Sequence, residues 1–132
     1  IMEAQTPEKV EVGPCSIQQT VTSEVLADVR VFFQIMSLEE SVFIWIGTSQ
    51  ASFKNLDFAV LSPSDPIASA SVLLGGADDS GQAIARRLAM RTKKPFFVSY
   101  NVPTHQPMLL ETIERHLAKL LIDQGHIQPK TA

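Results

Sequence analysis

The sequence predicts an α+β domain: an antiparallel sheet of about six strands with two helices, in the chain order βββββαβα. Three observations carry that prediction. Apolar residues alternate with period two from Val29 to Ile46, as in strands packed on a core. The period then becomes helical twice, after Asp79 and after Pro107. The five leading strands follow one another through short loops before either helix begins, which implies hairpin neighbours and helices laid on the sheet. A meander or a small sandwich would satisfy this order.

Residues Met2 to Pro14 contain Pro7, Gly13, Pro14 and the charges Glu3, Glu8, Lys9 and Glu11, with almost nothing to bury. Residues 1–15 are therefore expected to be a flexible segment, and Ile1 ahead of Met2 reads as an addition to a natural start at Met2. The folded domain is expected over residues 16–127, with 128–132 as a tail.

Ser16 to Thr22 reads as a first strand, with Ile17 and Val21 its large apolar residues. From Asp28 to Met36 the pattern strengthens: Val29, Val31, Phe33 and Ile35 share one face, and Phe32 and Met36 lie on the other. Ser37 to Glu40 suits a hairpin loop. Ser41 to Gly47 is the most apolar strand and is expected at the sheet centre, with Trp45 as a packed ring. Leu56 to Leu61 makes a fourth strand, ended by a loop with Pro63 and Pro66, and Ala68 to Leu74 makes a weaker fifth.

Asp78 or Asp79 can cap a helix running to about Lys93, ended by Pro95. Phe96 to Tyr100 is a short aromatic strand. Pro107 suits the first turn of a second helix, whose Leu109, Leu110, Ile113, Leu117, Leu120 and Leu121 form one stripe. Gly125 is its expected C-cap. Strands apolar on both faces imply that the second face is covered too, by a folded-over sheet or by a partner chain.

Composition narrows the function. The chain has 132 residues, 45% of them hydrophobic and 19% charged, with a formal net charge of -3. That is one ordinary globular domain, with nothing in its charge to suggest nucleic acid or an anionic membrane. No apolar run reaches the length of a membrane span. The single cysteine, Cys15, has no internal disulfide partner, and the economical expectation is a soluble intracellular protein, cytoplasmic with the nucleus as an alternative.

The candidates for chemistry are weak. His105, His116 and His126 lack a second ligand at metal spacing, so no metal or cofactor is expected. Cys15 sits where a nucleophile would have no rigid frame. The Gly75 to Gly81 stretch lies between strand and helix, where glycine loops hold phosphate. It lacks the Gly-Lys-Ser/Thr ending of a nucleotide loop, and Asp78 and Asp79 would repel an anion. A glycine turn and an aspartate cap explain it better. Asp57 and Asp65 read as ordinary turn residues flanking an exposed loop. No catalytic residue is assigned.

The first helix says more. Ile84, Ala85, Leu88, Ala89 and Thr92 share the arc expected to face the sheet. Arg86, Arg87, Arg91, Lys93 and Lys94 fall elsewhere, around Met90. A methionine framed by arginines suits a protein-contact patch, against the simpler reading of a solvated basic face. These six residues are the candidate partner-binding set. Ile122 makes a similar exception on the Glu111, Arg115 and Lys119 face of the second helix.

Four blocks add a resemblance. Val42-Phe43-Ile44-Trp45-Ile46-Gly47, Ser71-Val72-Leu73-Leu74-Gly75 and Ala83-Ile84-Ala85-Arg86-Arg87-Leu88-Ala89 are followed by Arg91-Thr92-Lys93-Lys94-Pro95-Phe96-Phe97-Val98-Ser99-Tyr100-Asn101. In order and spacing they resemble the proteasome assembly chaperone 4 family over roughly Val29 to Asn101. The run ending Phe97-Val98-Ser99-Tyr100-Asn101 is the most specific; the final helix matches only in its apolar pattern. The resemblance implies a non-enzymatic chaperone that pairs with a proteasome assembly chaperone 3-type subunit and helps 20S α-subunits form their ring. It implies six antiparallel strands with two helices and no nucleotide or metal, and a homodimer is expected when the chain is alone. The readings set against it are a profilin-like interaction scaffold and an enzyme holding a phosphorylated ligand at Gly75 to Gly81.

Overall fold

The computed structural model describes residues 17–48, 52–64, 67–76, 79–103 and 107–127. The expectations placed on 1–15 and 128–132, and on Cys15, Asp65, Asp78 and His105, lie outside them. Strand β1 (Gln18–Leu26) pairs antiparallel with β2 (Val29–Ser37), and β2 with β3 (Val42–Gly47). Then come β4 (Leu56–Val60), β5 (Ser69–Leu74), helix α1 (Ser80–Thr92), β6 (Phe96–Asn101) and helix α2 (Pro107–Asp123).

β1 runs four residues beyond the Thr22 expected as its end. Its hairpin to β2 turns on Ala27 and Asp28, at φ 48° and 66°. Two successive positive φ values make a two-residue turn of the twist that hairpins favour. No glycine or asparagine marks it, and Asp28 is its one turn-favouring residue.

The spatial order β1-β2-β3-β6-β4-β5 corrects the meander and the sandwich. This is one mixed sheet of six strands, mostly antiparallel, in which β6 lies between β3 and β4. β6 runs parallel to β3, Ile44 opposite Val98, and antiparallel to β4, Phe58 opposite Phe97. The physical reason is burial. Phe96, Val98 and Tyr100 are buried, and so are Ser99 and Asn101 on the opposite face. A strand so enclosed belongs in the interior of a sheet, and α1 supplies the long crossover that reaching it requires.

Both helices cover one face. Val31, Phe33 and Ile35 of β2, Val42, Ile44 and Ile46 of β3, and Phe96 and Val98 of β6 form its floor. α1 adds Ile84, Ala85, Leu88 and Ala89, packing over β4, β5 and β6. α2 adds Leu109, Ile113, Leu117 and Leu121, and its His116 ring stands 5.1 Å from Phe33. Ile122, expected to stand out from a polar face, is half-buried against this core.

The helix ends are partly as expected. Gly125, at φ 83°, donates its N–H to Ile122 O, and His126 N–H reaches Leu121 O at 2.9 Å. This paired closure satisfies the last carbonyls of α2. α1 ends with Lys93 in the left-handed region, its N–H on Ala89 O at 2.8 Å. At the other end Asp79 stands at the cap position, but its side chain makes no capping bond. Its φ of -92° and ψ of 8° are not the extended geometry that turns a capping oxygen onto the first amides.

Two further corrections bear on function. Asp57 is not at an exposed loop; it is buried on β4, below the start of α1. A Cβ built on Gly81 would stand 2.5 Å from Asp57 Oδ2, so Gly81 lets α1 close onto this carboxylate. Trp45 is half-buried rather than core, because its parity on β3 sets it on the face without helices.

Candidate protein-interaction surfaces

The parity that sends Ile44 and Ile46 to the helices sends Phe43 and Trp45 the other way. Register then builds two rows across that helix-free face. One carries Val21, Gln34, Trp45 and Ser99 across β1, β2, β3 and β6. The other carries Met36, Phe43, Phe97 and Phe58 across β2, β3, β6 and β4, with Phe58 and Phe97 ring centroids 4.6 Å apart. Val21 is 65% exposed and Val25 50%. A contiguous apolar surface of this kind marks an interaction site.

A polar network holds a loop onto this face. Asn101 Oδ1 accepts the backbone N–H of Lys54 at 2.8 Å and that of Asn55 at 3.3 Å. Asn101 Nδ2 donates to Ser99 Oγ, which donates to Asn55 O at 2.6 Å. Asn55 Nδ2 returns to Tyr100 O. Just before these residues, Ser52 O accepts Trp45 Nε1 at 2.9 Å, and Phe53 stacks on Phe43 at 6.4 Å with rings 7° apart. Gln34, Phe43, Trp45, Ser52 and Phe53 thus line a shallow apolar cavity of about 420 Å³. Phe53 is 49% exposed. Sequence reasoning missed it, since its stretch has no periodicity.

The predicted basic set lies on the other side of the molecule. Arg86, Met90, Arg91, Lys93 and Lys94 are exposed on α1 and its C-terminal end. Arg87 pairs with Glu114 of α2, Nε to Oε2 at 3.1 Å with a second bond from its Nη2 to Oε1. Arg86, Arg91, Lys93 and Lys94 form no ion pair among the described residues.

Among the described residues no group of three or more His, Cys, Asp or Glu could hold a metal ion. His126 Nε2 lies 2.7 Å from Ser37 Oγ, tying the end of α2 to β2. The start of α1 faces the buried Asp57 carboxylate, which opposes a phosphate there.

The comparisons match these strands. A family model described as Proteasome assembly chaperone 4 matches residues 30–102, from β2 through β6. The chain belongs to the proteasome assembly chaperone 4 family. The mouse and human proteins named Proteasome assembly chaperone 4 are each 40% identical to it over 73 residues, 54% of this chain. It spans 58% of the length of these relatives. A chain from a crystal structure titled as a novel chaperone complex for yeast 20S proteasome assembly superposes with a TM-score of 0.59. That superposition covers 82% of this chain and 94% of the yeast one, and at 16% identity it shows a shared fold. The matched family segment contains the Asn101 network and the part of the helix-free face carried by β2, β3, β4 and β6; β1 lies before it and α2 after it.

Proposed function

We propose that this chain is a non-enzymatic chaperone that promotes assembly of the 20S proteasome α-ring, acting as a heterodimer with a proteasome assembly chaperone 3-type subunit. Family membership supports the chaperone role in proteasome assembly. The observation that carries the partner is the helix-free sheet face. Its band of Met36, Phe43, Phe97 and Phe58, with the exposed Val21 and Phe53 beside it, is apolar surface that a second sheet of the same kind would bury. Without that subunit, two copies of the chain can cover each other through the same face.

The test is co-expression with an assembly chaperone 3-type subunit, followed by sedimentation. The wild-type chain is expected to co-purify as a heterodimer and to dimerise when alone at high concentration. Val21→Glu/Phe53→Glu, on two exposed side chains, is expected to abolish both while leaving circular dichroism unchanged. A wild-type chain that stays monomeric at high concentration and ignores the partner overturns the reading.

A further inference from the structure

The groove between α1 and α2 lies apart from the helix-free sheet face. Its walls follow from helical spacing. Ile84 and Leu88 of α1 meet Leu117 and Ala118 of α2 in a cleft of about 200 Å³. Arg87 and Glu114 bridge it, and Arg91 stands on its rim. On the outer face of α1, among Ala83, Arg86 and Arg87, Met90 is 41% exposed.

Charge identifies the occupant. Five of the chain's 11 basic residues, Arg86, Arg87, Arg91, Lys93 and Lys94, fall within one helix and its end, although the whole chain carries -3. From Ser80 to Lys94 there is no carboxylate to answer them. Helix-dipole complementarity accounts for Arg91 and the two lysines at the C-terminal end, but not for Arg86 in mid-helix or for the exposed methionine beside it. Arg91 lines the apolar cleft without an ion partner among the described residues, and Arg86, also unpaired there, lies further round α1 beyond Met90; such cations complement an acidic segment with one aliphatic or aromatic anchor. Nucleic acid fits less well. The cleft offers bases no aromatic platform on which to stack.

We infer that the α1–α2 groove docks an acidic peptide segment of a protein partner, one apolar side chain of which enters between Leu88 and Ala118 while its carboxylates meet Arg91 at the groove and, where the segment crosses the outer face of α1, Arg86. This rests on the proposed function only in expecting a protein as ligand.

The probe is a random-peptide display library, selected against the immobilised full chain. Selected peptides are expected to combine Asp or Glu with one large apolar residue. Their affinity should fall about ten-fold or more as salt rises from about 50 to about 300 mM, because exposed charges are screened. Arg86→Glu/Arg91→Glu should weaken them at least about ten-fold, mainly through association rate. Ala118→Trp, which fills the cleft without changing charge, should do the same, whereas Val21→Glu on the sheet face should leave binding unchanged. Failure to enrich peptides, or peptides indifferent to both groove variants, overturns the proposal. So does tighter binding of a single-stranded RNA at the same salt. Peptides lost in Val21→Glu assign the binding to the sheet face instead, so failure here leaves the chaperone reading separately testable.

Discussion

The Asn101 side-chain oxygen accepts the backbone N–H of Lys54 at 2.8 Å, across 47 residues of sequence, and so pins the loop carrying Phe53 to the end of β6. It takes the Asn55 N–H as well, while Asn101 Nδ2 holds Ser99. A side chain with both an acceptor and a donor is required, and asparagine supplies them in a small volume. The final residue of the resemblance motif therefore organises the apolar face.

Asn101→Ala should leave these part-buried amides without an acceptor and cost about 1–3 kcal/mol of stability. The loss should also appear in the partner, since Phe53 is no longer held. Urea denaturation and partner titration measure the two effects. Full stability in the variant would show that water replaces the side chain.

Gly81→Ala sets two effects against each other. Alanine favours a helix by up to about 1 kcal/mol over glycine, less in a first turn. The added methyl would stand 2.5 Å from Asp57 Oδ2 and 3.3 Å from Tyr100 Cβ. Overpacking of this kind costs about 1–3 kcal/mol, so the clash should win. A lowered melting temperature is expected; a raised one would mean that the Asp57 carboxylate can withdraw.

Trp45→Ala should cost less than the roughly 3–5 kcal/mol of a fully buried ring, because Trp45 is only half-buried and loses one bond, to Ser52 O. Its larger effect should fall on association with the partner subunit. Comparing the melting temperature of the isolated chain with that of the complex separates the two. A collapse of the isolated fold would return Trp45 to the core.

His126 should make the fold sensitive to mild acid. Burial, and then the charge of Lys94, hold its pKa below the ordinary 6.5. The unfolded chain then binds the proton more readily, so this residue's contribution to stability is present above pH 6.5 and is lost as pH falls from there toward the folded pKa. Between about pH 7.5 and 5.5 the wild-type melting temperature should drop further than that of His126→Asn. Equal drops would remove His126 as the source.

By itself the sequence determined the elements, because period and punctuation are local. Alternation from Val29 to Ile46, the helical arc of Ile84, Ala85, Leu88 and Ala89, and the glycine closing α2 can each be read within one window of chain. It also showed that the strands were apolar on both faces, from which a cover for the second was expected. Only the tertiary structure decided which side the helices take and which side stays open. That choice depends on β6 entering between β3 and β4, a pairing made across the α1 crossover that no local pattern encodes. The same insertion brings Asn101 to Lys54 and Asp57 beneath Gly81, contacts between residues that are distant in the chain and ordinary when read alone. The basic residues of α1 were legible as a face, but the groove beside them was not, because half of it belongs to α2.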